Sequence, residues 1–291
     1  MIQRNFWRNV LPSVIAFAFS GVYSIVDGMF VGQGVGDAGL AAINVAWPVT
    51  ALVQALGTGL GMAAAVVLSV CIGRRDAAEE HRALGSTAVL LLLAGVLSTA
   101  LLALLYRPLL PLLGAEGSVL AYADSYTRVI VLGSLFQVLG TGLVPLLRTY
   151  DGADAAMCSM TAGFLTNVVL DALFISVFRW GTAGAAAATV IAQGVSAAGI
   201  ALYGWRRVPL LRLERRHCKG SRGELGRIMN YSLLTCVQQS VMNFGILMVQ
   251  GLVNSFGVNV MAAFAAAVKI DAFAYLPVQD FGNAFSTFIA Q

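Results

Sequence analysis

Two aspartates, Asp27 and Asp171, each lie inside a long run of mostly apolar residues. An ionised side chain at the centre of a bilayer costs about 3 kcal/mol even on the mildest scales, so such residues are rare and usually belong to an ion or substrate pathway. Asn167 precedes Asp171 by one helical turn, and Tyr23 precedes Asp27 in the same way. Carboxylate and amide oxygens suit a proton or a hard cation such as Na⁺.

The composition predicts that these residues are carried by membrane helices. The chain is 58% hydrophobic and 11% charged, with a mean hydropathy of +0.81, whereas soluble domains carry roughly 25% charged residues. We therefore expect an all-α integral membrane protein.

A helix needs about 20 apolar residues to cross a bilayer, and eight stretches qualify. The first is followed at once by further spans, so we interpret it as a retained helix rather than a secretory signal. The predicted spans are Leu11–Val31, Ile43–Ile72, Leu84–Tyr106, Ala123–Leu147, Ala155–Phe178, Ala185–Trp205, Tyr231–Phe256 and Ala262–Gln291.

Helix rise places the two aspartates at one depth. The first and fifth spans start on the same side, and each aspartate is 16 residues past the start of its span, or roughly 24 Å at 1.5 Å per residue. Thr189 is one turn into the sixth span, at a comparable level, and Gln193 is one turn deeper. The prediction is a cluster of two carboxylates, an amide and a hydroxyl that binds a proton or Na⁺.

Two alternatives weaken this prediction. Buried acids in membranes normally pair with another group, and Arg128 in the fourth span is the candidate partner. The spans that carry the cluster also need not be neighbours, since equal depth does not establish contact.

The distribution of Lys and Arg predicts the orientation. With the N-terminus in the cytoplasm, most of the 18 basic residues fall in cytoplasmic loops, as the positive-inside rule requires. The net charge of +4 is then a sign of topology, and we expect no nucleic-acid partner. The expected location is the cell (inner) membrane, crossed several times.

Cysteine and histidine do not suggest catalysis. The four cysteines show no CxxC spacing, and His81 and His217 lie beside arginines in loops, so neither zinc nor a disulfide framework is indicated. No nucleophile and base stand together. We expect no enzyme activity and no cofactor apart from the coupling ion.

A faint internal repeat predicts two lobes. A shift of 221 positions superposes Gly36 on Gly257 and Gly61 on Gly282, and it spans an even number of helices, as in parallel-repeat transporters. We divide the chain into a six-helix lobe (1–205), a basic cytoplasmic linker (206–230) and the first two helices of a second lobe (231–291). A complete repeat would need twelve spans and roughly 440 residues, so we expect a C-terminally truncated chain.

Further polar residues are candidates for a cavity lining or for contacts between helices. The pair Gly57 and Gly61 forms a GxxxG, which indicates close helix packing. The candidate cavity residues are Tyr23, Gln193, Gln238, Asn243, Lys269 and Asp271.

The chain resembles the multidrug and toxic compound extrusion (MATE) transporters. The likeness is carried by the following segments: VDGMFVGQGVGDAGLAAINVAWPV (Val26–Val49), TNVVLDALFI (Thr166–Ile175), GAAAATVIAQ (Gly184–Gln193) and FAAAVKIDAFAYLPVQDFGNAFSTFIAQ (Phe264–Gln291).

The resemblance implies a twelve-helix fold of two six-helix lobes that exports organic, often cationic, compounds in exchange for Na⁺ or H⁺. In that family an aspartate, an asparagine, a second aspartate and a threonine form the cation or proton site, and they match Asp27, Asn167, Asp171 and Thr189. A proline linked to bending of the first helix matches Pro12. We expect a monomer with small organic substrates and membrane lipid as partners. A lipid-linked oligosaccharide flippase of the same superfamily is the alternative, disfavoured by the few intramembrane cations.

Overall fold

The computed structural model describes residues 25–207 without a gap, and beyond them residue 226, residues 228–235 and scattered positions as far as 282. Within this part of the chain the secondary structure is helical, with no strand. Residues 25–34 form the described part of helix α1, and a two-residue turn then leads into the next helix.

Five longer elements follow α1. Each of them is long and apolar enough to cross a membrane, with a mean hydropathy of 1.7 to 2.7 over its most apolar window. The prediction of an all-α membrane protein is therefore confirmed. The elements are α2 (Asp37–Arg74), α3 (Ala77–Leu112), α4 (Gly117–Thr149), α5 (Ala153–Asp171, continued by a π-helical segment, Ala172–Val177) and α6 (Gly181–Arg207).

Helix α3 begins before its predicted span because a polar cap, and not hydropathy, sets its start. The Asp76 carboxylate accepts hydrogen bonds from the backbone N–H groups of Ala78 (3.1 Å) and Glu79 (3.0 Å). This cap satisfies donors that a helix start otherwise leaves without partners. As a result α3 begins at Ala77, well before the predicted start at Leu84.

Helix α4 is the centre of the described lobe and packs against α2, α3 and α6. We call its closest contact the α2–α4 seam, formed by Gly57 and Gly61 on α2 and Gly142 on α4. A Cβ atom added to Gly61 would collide with the backbone of Gly142, and one added to Gly57 would lie 2.8 Å from the carbonyl oxygen of Val138. The GxxxG prediction is thus confirmed as a backbone-to-backbone contact.

The α5–α6 seam is also lined by small residues, and two of its glycines face serine hydroxyl groups. Gly163 lies against Ser196, and Gly199 lies against Ser159. The Ser196 hydroxyl crosses the seam to donate to the backbone oxygen of Ser159 at 3.1 Å. Small residues bring α5 and α6 close enough for polar groups to meet between them.

One hydrogen bond joins the end of α4 to the start of α3. The Tyr150 hydroxyl, just beyond α4, donates to Glu80 Oε1 at 2.9 Å. Burial, and then the bond to Glu80, raise the pKa of Tyr150 above its ordinary value, because both favour the protonated phenol. Tyr150 therefore remains a donor across the ordinary pH range, and it ties the α2–α3 turn to the α4–α5 turn.

Candidate functional site

The structure brings Asp27 and Asp171 together. Asp27 is on α1 and Asp171 is the last α-helical residue of α5, and their carboxyl groups lie within hydrogen-bonding reach of each other. The Asp171 side chain is completely buried (0% exposed), and Asp27 is half-buried. Equal depth in the predicted spans corresponds here to direct contact between the two helices.

Asn167 connects this pair to α6. With its amide nitrogen turned towards the carboxylate, Asn167 donates to Asp171 Oδ2 at 2.8 Å and accepts from the backbone N–H of Thr189 at 3.2 Å. In the opposite orientation its nitrogen reaches only the Thr189 hydroxyl, at 3.5 Å. The first orientation satisfies a donor and an acceptor at once, so it is the favourable one.

The placement follows from helix periodicity. Gly163, Asn167 and Asp171 recur every four residues and form the buried face of α5. Gly163 allows α6 to approach closely, which brings Thr189 level with Asn167. The spacing of Asn167 and Asp171 predicted that they share a helix face, but the sequence could not show which helix covers that face.

The π-helical segment after Asp171 packs against α1 and so holds the site in place. The sequence did not predict this segment. A Cβ atom on Gly34 of α1 would collide with the Ile175 side chain of the segment, and Val31 packs in the same buried cluster as Ile175. A signal existed in the glycines of Val31–Gly36 (VGQGVG), since glycine inside a membrane helix often marks close backbone approach. The extra residue of a π turn leaves no trace in hydropathy.

The acidic pair has no cationic partner among the residues that the structure describes. One oxygen of each carboxyl group, Oδ1, is buried and accepts no hydrogen bond from them. Arg128, the predicted alternative partner, is exposed and pairs with neither aspartate. The ion pair that is seen joins Arg107 Nε to Asp124 Oδ1 at 3.6 Å, at an exposed position.

This arrangement is a buried set of hard oxygen ligands. Two carboxyl groups, an amide and a neighbouring hydroxyl match the preferences of H⁺ or Na⁺ rather than those of soft metals. The described residues contain no group of three or more His, Cys, Asp or Glu side chains that could hold a metal ion. The assignment as a cation or proton site remains a prediction.

The other predicted residues lie elsewhere or outside the described part of the chain. Gln193 is half-buried and its amide oxygen would lie 2.9 Å from a Cβ atom on Gly140, so it packs against α4. Gln238 is exposed. The candidates outside the described residues are Pro12, Tyr23, Asn243, Lys269 and Asp271.

Known proteins with a similar sequence are named multidrug resistance or multidrug export proteins. The chain is 27% identical over 285 residues to the probable multidrug resistance protein YpnP of Bacillus subtilis (strain 168), covering 97% of this chain and 63% of YpnP. It is 24% identical over 261 residues to the multidrug export protein MepA of Staphylococcus aureus (strain MRSA252), covering 89% of this chain and 58% of MepA. The chain therefore spans about three fifths of the length of these relatives.

A solved structure shows the same fold. A multidrug resistance MATE family transporter of the MOP superfamily, in its outward-facing conformation, superposes with a TM-score of 0.90 at 26% identity. The likeness covers 99% of this chain and 64% of that one. Apolar helices packed around a polar cluster, together with this likeness, define the class as helical membrane proteins with the fold of MATE transporters.

The family can be stated more closely. The sequence model of the MatE family matches residues 12–173, which is more than half of the chain. The protein belongs to the MatE family, and the resemblance found in its sequence is confirmed.

Proposed function

We propose that the protein is a secondary antiporter that exports organic, often cationic, compounds in exchange for Na⁺ or H⁺. The observation that carries this proposal is the contact between the half-buried Asp27 and the buried Asp171, which have no cationic partner among the described residues. The names of the relatives, multidrug resistance and multidrug export proteins, support the class of substrate.

The acidic pair needs a positive charge from outside the described lobe. Two ionised carboxylates in contact repel each other strongly in a medium of low dielectric constant. A proton shared between them, or a Na⁺ ion held by both, relieves that repulsion. Asn167 fixes the position of Asp171, and the Thr189 hydroxyl lies close enough to add an oxygen ligand.

The packing of α1 offers a route by which the ion controls the organic substrate. Asp27 and Gly34 lie on the same helix, and Gly34 is pressed against Ile175 just beyond Asp171. Neutralising the pair removes a repulsive force between α1 and α5 and so changes how α1 packs. An ion that stabilises one packing of α1 lowers the affinity for a substrate that prefers the other. The two ligands then compete, as antiport requires.

The proposed setting is the cell membrane, with the N-terminus in the cytoplasm. Described arginines at the α2–α3 turn, the end of α4 and the end of α6 lie at one side of the antiparallel helices, namely Arg74, Arg75, Arg82, Arg148, Arg206 and Arg207. The positive-inside rule makes that side cytoplasmic. We further propose a monomer in which residues 1–205 form the ion-coupled lobe.

The test is ethidium efflux from proteoliposomes that carry the protein expressed from its complete reading frame. Na⁺ and pH gradients are imposed separately, so that the coupling ion is identified by the gradient that drives efflux. Asp27→Asn and Asp171→Asn are expected to reduce ion-driven efflux at least tenfold, because an amide keeps the shape but cannot bind the ion through a charge.

Asp124→Asn is the matched control, since it makes the same change at an exposed aspartate that already has a cationic partner. It should leave efflux unchanged. Full ion-driven efflux in both site variants would overturn the proposal. Movement of lipid-linked oligosaccharide without ethidium efflux would favour the flippase alternative.

A further inference from the structure

The connection between α5 and α6 carries three aromatic rings packed on one another. Phe174 and Trp180 stack with ring centroids 4.8 Å apart, and Phe178 lies 5.5 Å from Trp180 and 6.1 Å from Phe174. Phe174 is buried, whereas Phe178 and Trp180 are 50% and 54% exposed. We call Phe178, Arg179 and Trp180 the α5–α6 corner.

The corner stands at the end of an apolar ridge. Leu165, Val169, Leu173 and Val177 recur every four residues along α5 and are all exposed, on a different face from Asn167 and Asp171. An apolar ridge of this kind on a membrane helix is suited to contact lipid chains. The corner continues that ridge.

The exposed Trp205 gives a length to compare with the thickness of a membrane. Trp205 is 61% exposed, and it lies 25 residues after Trp180, near the other end of α6. At 1.5 Å per residue the two are separated by roughly 37 Å along the helix. The hydrocarbon core is about 30 Å thick, and tryptophan concentrates at both of its boundaries. The spacing of Trp180 and Trp205 therefore matches the distance between the two interfaces of a membrane.

Arg179 supplies a positive charge between the two exposed rings. Its backbone has φ of 55°, which turns the chain sharply between Phe178 and Trp180. The turn is held by the bond from the Trp180 N–H to the backbone oxygen of Phe174, at 2.9 Å. Arg179 is exposed and forms no ion pair with the residues that the structure describes.

We propose that the α5–α6 corner binds the phosphate of a phospholipid headgroup through Arg179, with Phe178 and Trp180 in the glycerol layer beneath it. The charge of the guanidinium and its planar donors match a phosphate. The amphipathic indole prefers the boundary between headgroups and chains. The bound lipid anchors the outer end of α5, one π-helical segment away from Asp171.

The depth is tested with a protein in which Trp7, Trp47 and Trp205 are replaced by Phe, leaving Trp180 as the sole tryptophan. The protein is placed in nanodiscs of phosphatidylglycerol brominated either near the headgroup or near the chain ends. We expect bromines near the headgroup to quench Trp180 at least twofold more strongly. Equal quenching, absent quenching, or stronger quenching by the deep bromines would overturn the proposal.

The role of Arg179 is tested by native mass spectrometry of the otherwise unchanged protein, counting bound phosphatidylglycerol. Arg179→Gln should lower lipid occupancy several-fold, and Arg179→Lys should restore part of it. Arg107→Gln is the control, because that arginine lies at the same side of the lobe but is already paired with Asp124. Unchanged occupancy in Arg179→Gln, or full displacement of lipid by inorganic phosphate, would contradict a lipid headgroup site.

Discussion

The α2–α4 seam and the α5–α6 seam are both lined by glycine, but different atoms face those glycines. In the α2–α4 seam the opposing atoms of Gly142 belong to the backbone, which cannot move without moving the whole helix. In the α5–α6 seam they include the hydroxyl groups of Ser159 and Ser196. A side chain added at Gly61 must therefore move backbone, whereas one added at Gly199 must move a serine side chain.

The largest effect is expected for Gly61→Ala. The added methyl group collides with the backbone of Gly142, so α2 and α4 must separate, at a cost of about 3 kcal/mol. The measurement is unfolding in mixed micelles of dodecyl maltoside and SDS, followed by circular dichroism.

Gly199→Ala is the matched control in the other seam. Its methyl group would lie 2.9 Å from Ser159 Oγ and 3.1 Å from Ser159 Cβ, and a serine side chain can rotate away. The loss should be about 1 kcal/mol or less, within the range of ordinary core adjustments. Equal losses for the two glycine variants would remove the distinction between the seams.

Asn167→Ala should have the next largest effect. It removes the amide that donates to Asp171 Oδ2 and bridges α5 to Thr189 of α6, and the loss of such a buried hydrogen bond costs about 2 kcal/mol. Asn44→Ala, at an exposed position of α2, is the control in the same unfolding assay. If the two variants unfold at the same SDS fraction, the amide bridge contributes nothing to the stability of the site.

The seam glycines and Asn167 show which parts of the molecule can be predicted from a sequence. Hydropathy located all five described spans, and arithmetic on helix rise set Asp27 and Asp171 at one depth. Neither could show that α1, α5 and α6 are neighbours, because periodicity defines a buried face without naming the helix that covers it. Joining Asn167 and Thr189 to one site therefore depended on the family resemblance as well as on depth.

The helix ends and the π-helical segment could not be predicted from the sequence, for a different reason. The start of α3 depends on the cap formed by Asp76, which lies in a charged stretch with no apolar signal. The π segment differs from an α-helix by one residue per turn, and the sequence Ala172–Val177 is as apolar as its surroundings. Gly57 and Gly61, in contrast, were informative because close packing demands a particular residue type.

A smaller effect is expected for Ser196→Ala. The variant loses one hydrogen bond across the α5–α6 seam, to the backbone oxygen of Ser159, and interhelical bonds of this kind average about 0.6 kcal/mol in membranes. Ser125→Ala is the control, because the Ser125 hydroxyl donates to Ala121 of its own helix and so crosses no seam. A loss above about 2 kcal/mol for Ser196→Ala would mean that the hydroxyl holds the seam together.

The smallest effect is expected for Asp124→Asn. The ion pair with Arg107 is 3.6 Å long, and its side chains are 71% (Arg107) and 38% (Asp124) exposed, so water screens it and no measurable change in stability should follow. Unfolding is compared at low and high salt. A clear destabilisation that disappears at high salt would show that this pair also supports the lobe.

The π-helical segment has a consequence for how this lobe can change over evolution. It holds one residue more than an α-helical turn of the same rise, and it separates Asp171 from the α5–α6 corner. Deleting a single residue from Ala172–Val177 would rotate everything beyond it by about 100° relative to Asp171. The length of this segment thus sets the rotation of α6 relative to the acidic pair. A deletion there is less readily tolerated than a substitution that keeps the contacts of Phe174 and Ile175.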